Sequence, residues 1–246
     1  MKAMILAAGL GTRLRPLTDD RPKALVTVAG RTLLEITIER LRQFGVTEMI
    51  VNAHHFAEQI EEFLRERGNF GLRIEVSRED ELLDTGGGLK KAAWFFAGPG
   101  SSLDEPFLLH NVDVVSSIDL GAMVEAHRES GALATLAVME RKTSRYLLFE
   151  GAGLLCGRRA GLDGAAEMAR PVREPHALAF CGIHVVSPRL LGELTEEGAF
   201  SIVSAYLRLA AAGEKIAAFR ADGFAWRDVG KEESLAAAER EMGGVG

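Results

Sequence analysis

Apolar residues recur along this chain with two alternating periods. Met4–Ala7 is a short continuous apolar run, the pattern of a strand buried on both faces. Leu34, Ile38, Leu41 and Phe44 then fall at helical spacing, opened by a Thr32–Glu35 capping pattern and closed at Gly45. Glu48–Ala53 reads as the next strand. Ala57–Arg67 reads as a helix with Ile60, Phe63 and Leu64 inward and Glu58, Glu61, Glu62, Arg65 and Arg67 outward. Leu72–Ser77 alternates with period two, Gly87–Phe96 returns to helical spacing, and Pro106–His110 is a fourth buried strand. This β-α-β-α rhythm predicts an α/β fold: a single Rossmann-like α/β/α domain with a mostly parallel, mixed central sheet. Past about Ala132 the rhythm loosens. Leu133–Met139, Arg145–Phe149 and Ala177–Val186 read as strands, interrupted by a polar, glycine-rich stretch from Gly151 to Arg173.

Composition narrows the classes. With 246 residues, 47% hydrophobic and 26% charged, this is the make-up of an ordinary globular chain. No apolar run approaches the roughly 18 residues of a membrane span, and the start lacks a signal-peptide layout, so a cytoplasmic protein without a membrane partner is expected. A net charge of −6 argues against a nucleic-acid partner. Cys156 and Cys181 have neither a C-x-x-C nor histidines at ligand spacing, so free thiols are expected. A homo-oligomer stays open.

The chemistry concentrates where the first strand ends. Leu6-Ala7-Ala8-Gly9-Leu10-Gly11-Thr12-Arg13 stops the strand at two glycines and an arginine, and Arg21-Pro22-Lys23 follows. A glycine turn at the carboxyl edge of a sheet presents bare backbone N–H groups to a phosphate. Arg13 and Lys23 add a fork and a point charge at the same mouth. In an acidic chain such a grouping points to a local polyphosphate site. It is not a Walker A loop, since no Gly-Lys-Ser/Thr occurs, and the dinucleotide fingerprint fails at its third glycine, where Leu14 stands. Farther on, Asp113 follows the buried strand Phe107–Leu109, on the edge where a Mg²⁺ ligand belongs.

The run Leu6-Ala7-Ala8-Gly9-x-Gly11-x-Arg13-x-x-Pro16-x-Thr18-x-x-x-Pro22-Lys23 resembles the signature of the sugar-1-phosphate nucleotidyltransferases. The likeness spans most of the chain and is strongest over 1–30, 82–90, 107–113 and 226–235. It extends to members that act on N-acetylmuramate 1-phosphate with UTP and on mannose or heptose 1-phosphates with GTP. The resemblance implies one nucleotidyltransferase domain over 1–246, with a nucleotide half at about 1–131 and an acceptor half at about 132–246. The implied reaction joins an NTP, UTP favoured, to a sugar-1-phosphate and releases pyrophosphate, by in-line attack on the α-phosphorus assisted by Mg²⁺. Arg13, Lys23, Asp113 and Asp228 are then the catalytic residues. Arg13 holds the leaving pyrophosphate, Lys23 meets charge at the α-phosphate, and Asp113 with Asp228 (from Trp226-Arg227-Asp228-Val229-Gly230) holds the metal.

The same resemblance places the nucleotide against Ala8, Gly9, Gly11, Thr12, Arg13 and Lys23, and its base against Asp84, Thr85, Gly86 and Gly87. Three consecutive glycines at 86–88, opening a helix, suit backbone pressed against a flat ligand. The acceptor is expected at Asn111, Arg173 and Glu174, although Arg173-Glu174-Pro175 lacks the lysine of the family's Glu-Lys-Pro. Val112 stands where the family carries glycine, which implies a narrower acceptor pocket. Two alternatives share the opening motif: a cytidylyltransferase for a polyol or other non-sugar acceptor, and a non-catalytic regulatory paralogue that binds sugar nucleotides.

Overall fold

In β1 (Lys2–Leu6), Ala3 and Ile5 point to one face of the sheet and Met4 and Leu6 to the other, all of them in apolar packing. A strand with no polar face must be covered on both sides, and this one is. The computed structural model describes residues 1–98 and 104–243. A small hairpin, β2 (Thr27–Val28) with β3 (Arg31–Thr32), leads into α1 (Leu33–Gln43). Thr32 caps that helix as its spacing predicts, its hydroxyl accepting the Glu35 N–H at 3.1 Å. The chain continues through β4 (Glu48–Ala53), α2 (Ala57–Glu66), β5 (Arg73–Arg78), α3 (Asp84–Lys91) and α4 (Ala93–Phe96). The helix expected as one piece from Gly87 therefore begins three residues earlier and breaks at Ala92.

Next come β6 (Phe107–Asn111), β7 (Val114–Ser116), α5 (Leu120–Ser130), β8 (Ala134–Met139), β9 (Arg145–Phe149), β10 (Leu155–Ala160) and β11 (Ala166–Met168). The last stretch holds β12 (His176–Val186), α6 (Arg189–Glu193), α7 (Ile202–Ala211), β13 (Ile216–Arg220), β14 (Trp226–Asp228) and α8 (Glu232–Gly243). The polar stretch from Gly151 to Arg173 thus contains two strands. It shows little hydrophobic alternation because β11 is exposed at all three positions and Arg158, Arg159 and Ala160 of β10 line an open cleft.

The result is a single α/β domain around a mixed sheet of order β11-β10-β9-β12-β6-β1-β4-β5, with β8 and β13 attached beside β12. Strands β5, β4, β1 and β6 are parallel. Helices α1, α2 and α5 pack on one face; α3, α4, α6 and α7 pack on the other. The long β12 pairs with β9 through His176–Ala179 and with β6 through Ile183–Val186. Between these halves Gly182 takes φ +74°, and a Cβ there would come within 2.8 Å of Asn111 Nδ2. That bend opens a cleft beyond the carboxyl ends of β1 and β6, the usual place for ligands in such sheets.

Candidate active site

Leu6 and Asn111 are register partners, so β1 and β6 deliver their following loops to one edge. After β1 the chain turns at Gly11, whose φ is +66°. A Cβ there would sit 2.9 Å from Thr18 Cγ2 and 3.1 Å from Lys23 Cβ, so only glycine lets the loop close this tightly. The buried Thr18 hydroxyl fixes the turn by donating to the Gly11 carbonyl at 3.0 Å. Ala8 is buried beneath the loop, Thr12 and Arg13 are exposed, and a Cβ at Gly9 would meet nothing within 4 Å.

Two carboxylates meet these cations. The Lys23 ammonium pairs with the Asp113 carboxylate, and only 11% and 17% of the two side chains is exposed. Asp228 is brought alongside by the β7–β14 ribbon: it is opposite Val114, and the next residue, Val229, donates its N–H to the Asp113 carbonyl at 2.9 Å. Gly230 is the point of convergence. A Cβ there would lie 2.7 Å from Asp228 Oδ1, 2.8 Å from Lys23 Nζ and 3.0 Å from an Arg13 guanidinium nitrogen. Arg13, Lys23, Asp113 and Asp228, spread over more than 200 residues of sequence, are therefore brought together.

Asp228 also accepts the Gly230 N–H at 2.7 Å, so it is a turn cap as well as a cleft residue. Among the described residues no three His, Cys, Asp or Glu side chains cluster as a metal cage. Two carboxylates on an open cleft fit a hard divalent ion that completes its shell with water and substrate oxygens.

Asn111, Asp84 and Thr85 line the same cleft of about 910 Å³. The glycines after Thr85 make close contacts within the protein. A Cβ at Gly86 would strike the Phe200 ring at 2.3 Å, and one at Gly87 the Gly198 carbonyl at 2.5 Å. Their N–H groups both donate to the Phe200 carbonyl. The close approach these glycines allow is to the segment before α7, and the opening turn of α3 is satisfied by protein. Thr85 joins this seam, its hydroxyl accepting the Ile202 N–H at 3.0 Å.

Three residues expected around the acceptor stand elsewhere than the cleft lining. Arg173 and Glu174 are exposed on the connection between β11 and β12, outside the cleft. Val112 is 3% exposed and belongs to the core beneath β6, with its N–H on the Leu6 carbonyl. Its side chain fills the interior rather than narrowing an acceptor pocket.

The far wall of the cleft consists of residues the motif reading passed over. Arg141, Lys142, Arg145, Arg158 and Arg159 face it from β8 to β10. Arg158 is paired with Glu167 at 2.7 Å. Arg159 has a buried Nε without a hydrogen-bond partner. The signal was present as a basic run in an acidic chain. Asn52 and Glu79 were also missed: the Ala7 N–H donates to Asn52 Oδ1, the Asn52 amide to Glu79 Oε1, and the Leu83 N–H to Glu79 Oε2. This buried chain of bonds ties the start of the glycine loop after β1 to the turn before Asp84.

Neither histidine nor cysteine offers acid–base or nucleophilic chemistry here. His184 lines the cleft, but burial pushes its pKa down to about 3, and its Nδ1 meets the Tyr206 hydroxyl at 2.9 Å. Burial pushes the Cys181 thiol up to about 12. Both cysteines are free, as expected.

Comparison with known proteins agrees with this geometry. Residues 2–149 match the family model described as nucleotidyl transferase. The N-acetylmuramate α-1-phosphate uridylyltransferase of Caulobacter vibrioides is 36% identical over 98% of this chain and 96% of its own length. A mannose-1-phosphate guanyltransferase of Gibberella zeae is 32% identical over 96% of this chain, which spans 62% of that longer protein. Among solved structures, HddC from Yersinia pseudotuberculosis complexed with GMP-PN superposes with a TM-score of 0.76 at 20% identity, over 98% of this chain and 99% of that one.

Proposed function

The chain belongs to the nucleotidyl transferase family, and from that premise we propose that it transfers uridylate from UTP to the phosphate of N-acetylmuramate 1-phosphate, releasing pyrophosphate. The observation that supports the reading is the cleft itself: Arg13 and Asp113, the latter paired with Lys23, face a wall of Arg141, Lys142, Arg145, Arg158 and Arg159. A sugar that bears a carboxylate as well as a phosphate suits such a wall, and the relative matched over nearly its full length is named for that acceptor.

The acceptor phosphate is already an anionic nucleophile. One of its oxygens forms a bond to the α-phosphorus as the bond from that phosphorus to the bridging oxygen of the β-phosphate breaks. Pyrophosphate departs with the electron pair, so no general base is required. Catalysis is therefore positioning and charge neutralisation. Arg13 takes the departing pyrophosphate, and Lys23, held in place by Asp113, faces the α-phosphate. Family members generally use a divalent metal ion. Asp113 and Asp228 would hold Mg²⁺, which when bound neutralises phosphate charge.

The test is a pyrophosphate-release screen crossing four NTPs with N-acetylmuramate, N-acetylglucosamine, glucose and mannose 1-phosphates. UTP with N-acetylmuramate 1-phosphate should give the highest kcat/KM. Preference for GTP with mannose 1-phosphate would overturn the choice of both substrates, and absence of turnover with every pair would remove the catalytic reading.

A further inference from the structure

In-line attack needs a cation for the acceptor phosphate on the wall opposite Arg13 and Lys23, and Arg173 does not reach that wall. We propose that Arg141, in the turn between β8 and β9, holds the acceptor phosphate. The inference rests on the nucleotidyl-transfer reading above.

Arg141 is fixed from two sides. Its guanidinium carbon lies 4.0 Å from the centre of the Trp226 ring. One of its terminal N–H groups donates to the Phe180 carbonyl at 2.8 Å. Trp226 is itself pinned, its indole N–H donating to the Cys181 carbonyl at 2.8 Å. Both carbonyls belong to the β12 bend at Gly182, so the arginine is anchored where the sheet opens into the cleft.

Strand geometry sets it beside the reacting groups. Trp226 and Asp228 are two apart on β14, so their side chains share a face, roughly 7 Å apart along the strand. The guanidinium stacked on the indole and the Asp228 carboxylate both line the cleft.

Its charge is uncommitted. Among the described residues no carboxylate is within ion-pair distance of Arg141. Of the nearby acids, Asp113 is engaged by Lys23, Glu167 by Arg158, and Glu140 and Asp222 by Arg220, while Asp228 accepts the Gly230 N–H at 2.7 Å. With its Nε buried and one terminal N–H on the Phe180 carbonyl, the pre-oriented, unneutralised guanidinium keeps its remaining terminal N–H groups for a phosphate oxygen. Of the other cations on this wall, Arg158 is paired with Glu167, Lys142 and Arg145 are exposed at the rim, and Arg159 is on β10, which pairs with β9 and β11 and not with β12. Arg141 is tied through Phe180 to β12 and through Trp226 to β14, the strand that carries Asp228.

The experiment compares wild type, Arg141→Ala and Arg141→Lys by initial-rate kinetics and by calorimetric binding of N-acetylmuramate 1-phosphate. The binding is measured with the site saturated by non-cleavable α,β-methylene UTP. Arg141→Ala should weaken acceptor binding and raise acceptor KM at least about tenfold, while affinity for the UTP analogue stays within about twofold. Arg141→Lys should fall between, and added guanidinium ion should restore part of the lost activity in Arg141→Ala. Unchanged acceptor binding overturns the assignment. So does equal loss of acceptor and nucleotide binding without guanidinium rescue, which would make Arg141 only a prop for Trp226. Arg141-dependent acceptor binding in a protein that makes no sugar nucleotide would support Arg141 while refuting the functional reading.

Discussion

The two walls of the cleft, one proposed for the nucleotide phosphates and the other for the acceptor, both carry cations but are assembled differently. On the first, glycines at 9 and 11, a cation at 13 and another at 23 lie within fifteen residues, and the backbone turn that they share positions them. On the second, Arg141 is held by an indole from β14 and a carbonyl from β12, and Arg159 stands two strands away on β10. A site made by one loop survives as a sequence pattern because spacing is its geometry. A site made by strands meeting across a sheet leaves only a local excess of arginine.

The first wall should break most completely. Asp113→Asn and Asp228→Asn should each lower kcat/KM by about 10²–10³-fold, since a neutral amide is a poor replacement for a hard anionic ligand. EDTA should do the same to wild type, with recovery on adding Mg²⁺. Pyrophosphate release measures all three. Full activity in Asp228→Asn alone would reduce that residue to the cap of Gly230 already visible in its 2.7 Å bond.

Lys23→Ala comes next, with a loss of about 10²-fold in kcat/KM. Read from sequence as an exposed loop lysine, Lys23 would matter little to stability. In the fold it is mostly buried against Asp113. Removing it leaves a poorly solvated carboxylate without its partner, so a stability loss of about 1–3 kcal/mol should accompany the loss of activity. The pairing predicts non-additivity: adding Asp113→Ala to Lys23→Ala should recover part of that loss in denaturant unfolding. An additive double variant would mean the ion pair is incidental.

These two cases also show where sequence was and was not enough. The parallel half of the sheet was legible because its inner strands are buried on both faces and read as apolar runs, as in Met4–Ala7, and its edge strand β5 alternates with period two. Strands β10 and β11 were not, because one lines solvent with Arg158 and Arg159 and the other is an exposed edge. The glycines at 86–88 were visible, but a glycine marks close approach without saying to what: in the fold Gly86 approaches the Phe200 ring, Gly87 the Gly198 carbonyl and Gly88 the Asn52 and Glu79 side chains. Asn52 inside an otherwise apolar strand was a legible sign of a buried polar network, since an amide at that position requires partners.

Val112 tests the boundary between the walls. Compared with relatives, its β-branched side chain next to Asp113 implies a narrower acceptor space. In the fold it faces the core. Val112→Gly should therefore destabilise the protein by about 2–4 kcal/mol, through the cavity and the freer unfolded backbone. The ratio of kcat/KM between a preferred and a poor sugar-1-phosphate should not move. Chemical denaturation gives the first quantity and the substrate screen the second. A broadened acceptor range at unchanged stability would return Val112 to the pocket.

Arg159 provides the smallest and most selective test of the second wall. Its Nε is buried without a hydrogen-bond partner, although its guanidinium borders the cleft. If Arg141 holds the phosphate, Arg159 is free to meet a second acidic group on the same acceptor, such as the lactyl carboxylate of N-acetylmuramate. Arg159→Gln keeps hydrogen-bonding capacity and removes the charge. It should lower kcat/KM for N-acetylmuramate 1-phosphate about tenfold, about 1.4 kcal/mol, and leave N-acetylglucosamine 1-phosphate nearly unaffected. The ratio between these two sugars is the decisive quantity, because they differ by the lactyl group alone. An equal fall for both would move Arg159 to general phosphate attraction; an unmoved ratio with unchanged rates would leave the far wall's selectivity to Arg145 and Lys142 at its exposed rim.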